Sequence, residues 1–239
     1  ATLARAVDLA IRDHVDAVLF AGDVVESTNA RFEALRPLEA AVHRLYEAKI
    51  PVLAVAGNHD VEALPRLASR IDGFTLLGEG GVWQCHKLHR EGQPVVEIVG
   101  WCFPEREVLT SPLRGLRETL AASSAGADEV PRIGLLHADL YSSGGRYAPV
   151  ARRELEAAGL DAWLLGHIHL PSLGAGSGRS GVPCGYLGSL VGLDPSERGP
   201  HGPWRVQVAS DGTVSVEQVS LAPLRWETRS MAVEGLTDP

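Results

Sequence analysis

The chain has 239 residues, of which 45% are hydrophobic and 22% are charged. This balance is typical of a globular protein and excludes a disordered chain, and the length predicts one larger domain with a substantial core. The formal net charge of −8 argues against a generic nucleic-acid binder, because contacts to phosphate need Lys and Arg. Cations bound at a metal site would make the local potential positive, so the net charge weakens a nuclease hypothesis without excluding it.

The sequence also indicates a compartment. No apolar run is long enough to span a bilayer, and the chain begins in a helical pattern with no basic and apolar leader. The three cysteines, Cys85, Cys102 and Cys184, are scattered and include no Cys-x-x-Cys pair. We therefore expect free thiols, a reducing compartment and a cytoplasmic location.

The first part of the chain alternates helical and strand patterns. Apolar residues at helical spacing predict helices over residues 3–11 and 32–45, and short apolar runs predict buried strands at 16–20 and 51–55. The first strand is followed by Gly22-Asp23, and the second by Gly57-Asn58-His59-Asp60. This order predicts an α/β fold, in which ligands bind beyond the carboxyl ends of the strands.

The remaining patterns predict more strands than helices. Strands are predicted at 82–86, 95–99, 132–136, 161–165, 182–187, 204–209 and 213–219, and helices at 113–122 and 150–158, with a polar link at 123–131 and an irregular loop at 174–181. Asp211-Gly212 predicts a hairpin turn between the last two strands. Two further strands run into histidines, one at His137 and the other at Gly166-His167-Ile168-His169.

Four predicted strands thus end in a residue that can bind a metal. In an extended segment residues i and i+2 face the same side, so His167 and His169 can point into one site while Ile168 packs away. Each motif alone has a structural alternative: Gly22-Asp23 is a common turn, and His137 can be a hydrogen-bonded loop histidine. Their common position at strand ends favours a shared metal site.

The donor types indicate which metals and which reaction fit. Imidazole nitrogens with carboxylate and amide oxygens suit Mn, Fe or Zn, and the absence of thiolate ligands argues against a closed structural zinc site. Two divalent cations about 3.5–4 Å apart can clamp the attacking and leaving oxygens of an in-line phosphoryl displacement. The residues therefore predict a phosphoester hydrolase with two metal ions.

The order of these motifs resembles that of the calcineurin-like metallophosphoesterases. The resemblance implies a four-layer α/β/β/α sandwich with two divalent metal ions. Mn is the expected metal, and Fe and Zn are the alternatives. The resemblance also implies individual roles: Asp23 bridges both metals, Asn58, His137 and His167 complete one metal site, His169 binds the other metal, and His59 contacts the scissile phosphate and protonates the leaving oxygen.

A narrower resemblance lies in the last third of the chain. Tyr186-Leu187-Gly188-Ser189-Leu190 and Glu197-Arg198-Gly199-Pro200-His201-Gly202, followed by a hairpin, resemble the SbcD-type DNA-repair exonucleases. Tyr147-Ala148-Pro149 and Leu221-Ala222-Pro223-Leu224-Arg225-Trp226-Glu227 are similar to the YhaO-like branch of that group. This implies DNA or another phosphodiester as substrate, no membrane partner, and a coiled-coil ATPase and a second copy of the chain as candidate partners.

The sequence departs from the family pattern at both ends. The family begins with a strand that ends in Asp-x-His, and no Asp-x-His precedes the first helix here. We expect a short preceding segment to carry that first strand; without it, one metal retains only Asp23 and His169 from this chain. We expect residues 1–227 to form the metallophosphoesterase domain and 228–239 to be a tail or the start of a capping region.

Three functions remain open at this point. The leading hypothesis is a Mn-dependent phosphodiesterase that acts on DNA, as the repair exonucleases do. The first alternative, a phosphoesterase for small phosphate monoesters or diesters, shares the entire metal set. The second is a scaffold that has lost catalysis and binds a partner ATPase. Near the site, Asp139 either orients a ligand histidine or is a surface aspartate, and Arg146 and Tyr147 either reach substrate phosphate or are structural.

Overall fold

The structure is a computed structural model and describes residues 2–26, 35–124, 130–140, 144–174 and 181–231. The helices in these ranges are α1 (Thr2–Arg12), α2 (Leu35–Glu47), α3 (Ala63–Ala68), α4 (Leu116–Ser124) and α5 (Arg152–Glu156). The strands are β1 (Val18–Ala21), β2 (Val52–Val55), β3 (Phe74–Leu76), β4 (Trp83–Arg90), β5 (Gln93–Trp101), β6 (Arg132–His137), β7 (Ala162–Gly166), β8 (Cys184–Tyr186), β9 (Trp204–Val208) and β10 (Val214–Gln218).

The first sheet is parallel and contains β1, β2 and β3 in that order. All four residues of β2 are buried, as expected for a central strand that is covered on both faces. In the described part of the chain β1 lies at an edge of this sheet, and its first three residues are only half-buried.

The second sheet contains β4 to β8 in chain order. Strands β4 and β5 are antiparallel, and the other neighbours are parallel. The turn between β4 and β5 is Glu91-Gly92, where φ is +52° and +80°, and two consecutive positive φ values give the turn that suits a twisted hairpin. Strands β9 and β10 form a separate antiparallel hairpin whose turn contains Gly212.

The second sheet separates two hydrophobic clusters because successive residues of a strand face opposite sides. On β7, Leu164 packs into the cluster that contains α1, α2 and the first sheet, whereas Trp163 and Leu165 pack into the cluster that contains α4 and α5. Strands β1 and β2 lie against β6. The layers are therefore helices α1 and α2, the first sheet, the second sheet, and helices α4 and α5. The predicted mixed α/β fold is confirmed.

Several element bounds differ from the prediction. Helix α3 and strand β3 were not predicted, and β4 continues to Arg90 beyond the predicted 82–86. Helix α4 begins at Leu116, after Gly115 with φ +82°, instead of at 113. Residues 32–34 of the second predicted helix, most of the 123–131 link and of the 174–181 loop, and the tail from 232 lie outside the described residues. None of the described helices has the length and apolar character needed to cross a membrane.

Candidate metal centre

Four strands bring the predicted ligands to one edge of the paired sheets. Asp23 follows β1, Asn58 follows β2, His137 is the last residue of β6, and His167 directly follows β7. Strands β1 and β2 are parallel neighbours, as are β6 and β7, so within each sheet the two carboxyl ends lie side by side. The site therefore forms where the ends of the two sheets meet.

His137 lies at the centre of this group and is fully buried. Its Nδ1 is 2.9 Å from the carbonyl oxygen of Ala21, the last residue of β1, to which a protonated Nδ1 donates. Its Nε2 is 3.0 Å from Oδ1 of Asn58 and 3.3 Å from Oδ2 of Asp23. The Ala21 contact fixes the orientation of the ring, so that Nε2 faces the side chains from the first sheet.

These donors fit a divalent cation. With a proton on Nδ1 only, Nε2 presents a lone pair to two oxygens that also carry lone pairs, and a cation held among the three atoms removes their repulsion. His167 adds a fourth donor: its ring centroid is 5.2 Å from that of His137. The ligand atoms of Asp23, His137 and His167 all lie within 4.8 Å of one another, so one ion can reach all three.

Glycines next to the ligands leave the space for this close approach. A Cβ on Gly22 would lie 2.4 Å from Nδ1 of His137, one on Gly57 would lie 2.3 Å from Oδ1 of Asp23, and one on Gly166 would lie 1.8 Å from the oxygen of Ala21. A side chain at any of the three would displace a ligand or the backbone that holds it. The glycine in each sequence motif thus has a steric reason.

Two of the ligands adopt unusual backbone conformations. Asp23 has φ +51° and His167 has φ +108°, and both values lie in the region that favours glycine. Such conformations cost on the order of 1–3 kcal/mol each and concentrate at functional sites. The sequence predicted that His167 and His169 lie on one face of an extended segment. In the structure β7 ends at Gly166, so neither histidine belongs to the strand.

The electrostatic environment of Asp23 and His167 favours the forms of these two side chains that bind a cation. Burial acts to raise the pKa of Asp23, but the adjacent His137 and the backbone N–H of His59, 3.0 Å from Oδ1, outweigh burial and hold that pKa below its usual value. Burial, followed by the nearby His137, lowers the pKa of His167. Carboxylate and neutral imidazole are therefore the favoured forms at neutral pH.

Asp60 is a residue whose role the sequence did not indicate, although it closes the Gly57-Asn58-His59-Asp60 motif. Its side chain is fully buried, and its two oxygens accept the N–H groups of Val24 and Gly57, each at 2.7 Å. Burial raises the pKa of Asp60 to about 6, although both N–H groups favour the carboxylate. Through this side chain the loop after β1 and the loop after β2 are joined.

His59 lies outside the group of converging donors. Its side chain is half-exposed, and Nδ1 is 3.0 Å from an oxygen of Glu26. Its backbone N–H contacts the group by donating to Oδ1 of Asp23. This position at the rim suits a residue that acts on a bound substrate better than it suits a metal ligand.

His169 is separated from the other predicted ligands. In the described part of the chain it does not belong to the group of mutually close donors, and its Nδ1 is 2.7 Å from Oε1 of Glu197. It lines one cleft together with His167, Ile168, Leu170, Ser196 and Glu197. Both histidines of the motif therefore face the same cleft, but the structure does not place them around one ion.

Two of the three remaining candidate residues, Asp139 and Tyr147, lie near His167. The ring of Tyr147 lies 5.1 Å from the ring of His167, centroid to centroid, and the charge of Asp139 acts against the lowering of the pKa of His167. Arg146 instead pairs with Glu107 on the surface, with 2.8 Å between the charged groups. Tyr147 is thus in ring contact with a predicted ligand, whereas Arg146 pairs with Glu107.

Residues 1–171 match the model of the calcineurin-like phosphoesterase family. The chain belongs to this family. The match extends over all four strands that carry the ligands, and the predicted family is confirmed. Members of the family bind divalent metals and hydrolyse phosphoesters, which agrees with the donor set of the site.

Individual relatives cover most of this chain. It is 28% identical over 236 residues to the uncharacterized metallophosphoesterase YhaO of Bacillus subtilis, with 98% of this chain and 55% of YhaO covered. It is 30% identical over 238 residues to the SbcD subunit of the SbcCD nuclease of Rhodobacter capsulatus (81% and 58% covered). It is 28% identical over 228 residues to the DNA double-strand break repair protein Mre11 of Aeropyrum pernix (90% and 53% covered). The chain thus spans about half the length of these curated relatives.

A solved structure supports the fold. The crystal structure of TT1561 of Thermus thermophilus aligns with a TM-score of 0.55 and 14% sequence identity, covering 91% of this chain and 92% of that one. At this identity the likeness concerns the fold alone.

Proposed function

We propose that the protein is a metal-dependent phosphodiester hydrolase that acts on DNA. The observation that carries the proposal is the convergence of Asp23, Asn58, His137 and His167 at the meeting point of the two sheets, with nitrogen and oxygen donors and no thiolate. Such a donor set suits a catalytic cation, because soft thiolate ligands are typical of closed structural sites.

In this proposal one cation is held by Asp23, Asn58, His137 and His167, and a second by Asp23 and His169 together with donors from outside these residues. Mn²⁺ is the proposed metal, and Fe or Zn would suit the same atoms. When bound, the cations supply positive charge that polarises a phosphoryl group and makes water a nucleophile near neutral pH.

His59 is the proposed general acid. Its Nδ1 faces Glu26, which leaves Nε2 as the ring nitrogen that can give a proton to the leaving oxygen. The backbone N–H of His59 donates to Asp23, so the backbone of the proposed acid is held next to the proposed bridging carboxylate. Removing a general acid typically costs about 10²–10⁴-fold in rate.

DNA is the proposed substrate because of the relatives' names. The SbcD relative is a subunit of a nuclease and Mre11 is a DNA double-strand break repair protein, and both match most of this chain. We extend the proposal to a coiled-coil ATPase partner and a homodimer, as the resemblance to the SbcD-type exonucleases implies, and to a reducing, cytoplasmic location on the basis of three free thiols.

The proposed domain limit near residue 227 has a structural basis. Trp226 is in β-bridge contact with Arg198, its carbonyl oxygen accepts the N–H of Gly199, and its indole N–H donates to Gly192. The chain is thus tied to the domain up to Trp226.

Nuclease assays on single- and double-stranded DNA test the proposal. We expect hydrolysis with Mn²⁺ and none with EDTA. The variant His59→Ala should bind Mn²⁺ as the wild type does and lose most activity. His43→Ala is the matched control, since His43 is an exposed histidine of α2 that pairs with Glu47, and it should be fully active.

The same assays separate the two alternatives. Hydrolysis of bis-p-nitrophenyl phosphate without any cleavage of DNA would favour the phosphoesterase for small esters. Failure to bind Mn²⁺ by isothermal titration calorimetry, with no hydrolysis of either substrate, would favour the non-catalytic scaffold. Either result contradicts the proposed DNA hydrolase.

A further inference from the structure

His169 is held by a carboxylate that is itself enclosed. Glu197 is 7% exposed, and its Oε1 lies 2.7 Å from Nδ1 of His169. Its Oε2 accepts the backbone N–H of Leu193 at 2.8 Å and lies 3.3 Å from the hydroxyl oxygen of Ser189. The carboxylate therefore has a backbone donor on one oxygen and His169 on the other.

A second buried histidine fixes the loop that carries Glu197. His201 is 1% exposed. Its Nε2 lies 3.2 Å from the carbonyl oxygen of Glu197, and its Nδ1 lies 3.0 Å from the carbonyl oxygen of Ser189. The ring of His201 therefore lies between the two ends of the segment 189–197 and contacts both.

The same loop also binds the backbone of His169. The N–H of Ser189 donates to the carbonyl oxygen of His169 at 2.9 Å. Gly188 precedes this contact with φ +74°, and a Cβ there would lie 2.8 Å from that carbonyl oxygen. Both the backbone and the side chain of His169 are thus held by the segment 188–197.

The contact to Glu197 determines which ring nitrogen of His169 is protonated. An ionised carboxylate can only accept, so Nδ1 must carry the proton, and in the neutral ring Nε2 then has a free lone pair. The side chain of His169 is 46% exposed and lines the cleft next to His167, so a ligand from the cleft can reach this nitrogen. A metal ion needs this unprotonated nitrogen.

We propose that Glu197 is a positioning residue that fixes His169 in the Nδ1–H tautomer and presents Nε2 to the second cation, with His201 holding the loop in place. This inference rests on the proposed function for the cation, while the tautomer itself does not depend on it. In this proposal the motif Glu197-Arg198-Gly199-Pro200-His201-Gly202 supports the predicted ligand that lies outside the main group of donors.

The tautomer is tested by long-range ¹H–¹⁵N NMR of the histidine rings in the metal-free full chain. The wild type should show His169 protonated at Nδ1. In Glu197→Gln the amide can keep the contact with Leu193 through its oxygen, and its NH₂ then faces Nδ1 of His169. That arrangement requires an Nδ1 lone pair, so the proton should move to Nε2. Glu217→Gln, an exposed carboxylate of β10 that pairs with Arg205, should change nothing.

The metal role is tested by Mn²⁺ titration with electron paramagnetic resonance. Loss of an outer carboxylate typically weakens metal binding about 10–100-fold. We expect this loss at the weaker of two Mn²⁺ sites in Glu197→Gln and in Glu197→Ala, with the stronger site unchanged. Circular dichroism confirms that each variant is folded.

The outcomes separate the two proposals. An Nε2–H tautomer in the wild type, or unchanged Mn²⁺ binding at both sites in the variants, would overturn the positioning role. If the wild type binds no Mn²⁺, the proposed function fails, while a tautomer that reverses in Glu197→Gln still supports the control of His169 by Glu197.

Discussion

Substitution of Gly166 by alanine tests the close contact between the two sheets at the site. The added Cβ would lie 1.8 Å from the carbonyl oxygen of Ala21 and 2.8 Å from Nδ1 of His137. This oxygen is also the partner of the His137 ring, at 2.9 Å. A single methyl group would therefore force the end of β1 away from β7 and separate His137 from its backbone partner.

Two costs add to give the expected magnitude. Overpacking of a well-packed interior typically costs about 1–3 kcal/mol. A buried donor that loses its partner costs about 1–3 kcal/mol more, since Nδ1 of the fully buried His137 has no access to water. We expect Gly166→Ala to lower the free energy of unfolding by about 2–6 kcal/mol and to weaken Mn²⁺ binding at least tenfold.

Two other glycines provide matched controls. A Cβ on Gly134 would lie 2.3 Å from the ring of the buried Trp163, so Gly134→Ala should lose about 1–3 kcal/mol without contacting a predicted ligand. A Cβ on Gly174 would meet nothing within 4 Å, and Gly174→Ala should be neutral or slightly stabilising because alanine restricts the unfolded chain. Urea unfolding followed by tryptophan fluorescence measures stability, and calorimetric titration under folded conditions measures Mn²⁺ affinity.

The comparison between Gly166→Ala and Gly134→Ala tests whether Mn²⁺ binding depends on the contact between Ala21 and His137. Loss of stability in both, with loss of Mn²⁺ affinity only in Gly166→Ala, supports a cation site built on the contact between β1 and His137. If Gly166→Ala binds Mn²⁺ as tightly as Gly134→Ala does, the orientation of His137 does not depend on Ala21 and the reasoning is refuted.

Three further predictions concern individual contacts. Mn²⁺ at about a hundredfold excess over its Kd should raise the free energy of unfolding by about 2.7 kcal/mol, and a thermal shift that persists in His137→Ala would contradict the site. Burial raises the pKa of Cys102 from 9.0 to about 12. Above pH 9 the thiol loses its proton in the unfolded chain but not in the folded one, so the free energy of unfolding should fall by up to about 4 kcal/mol towards pH 12. Urea unfolding across this range measures the decrease, which should be less steep in Cys102→Ala. Glu97 is 1% exposed and lies 2.8 Å from Nε of Arg132, so Glu97→Ala should cost about 3 kcal/mol in urea unfolding and Glu97→Gln clearly less.

The main strands could be predicted from the sequence, whereas the short elements could not. The apolar runs of β2 and β7 are fully or almost fully buried, and such runs between loops have few alternatives to a central strand. Helix α3 has six residues including Pro65, and β3 has three, so neither is long enough to show a period. Tertiary contacts stabilise them instead: β3 adds to the edge of β2, and Leu64 and Phe74 are buried in the core.

The same distinction applies to the site. Donors at strand ends were predictable, because the carboxyl ends of parallel strands meet at one edge, and the structure brings Asp23, Asn58, His137 and His167 together there. The contacts that orient these donors could not be predicted from the sequence. His137 and Ala21 are separated by 116 residues and His169 and Glu197 by 28. The first contact joins the ends of two strands in different sheets and the second joins two loops, and neither pairing follows from a periodic pattern in the sequence.

Metal binding and the packing of the two sheets are coupled through His137. Its ring belongs to the second sheet, while its Nδ1 contacts Ala21 and its Nε2 faces Asn58 and Asp23, all from the first sheet. A cation among these atoms attracts donors from both sheets and so holds the sheets together at this edge. Conversely, any change that separates the sheets there moves donors of one sheet away from those of the other. Because the coupling is reciprocal, stability should respond to Mn²⁺ and Mn²⁺ affinity should respond to packing, which is why Gly166, a residue without a side chain, is expected to affect both.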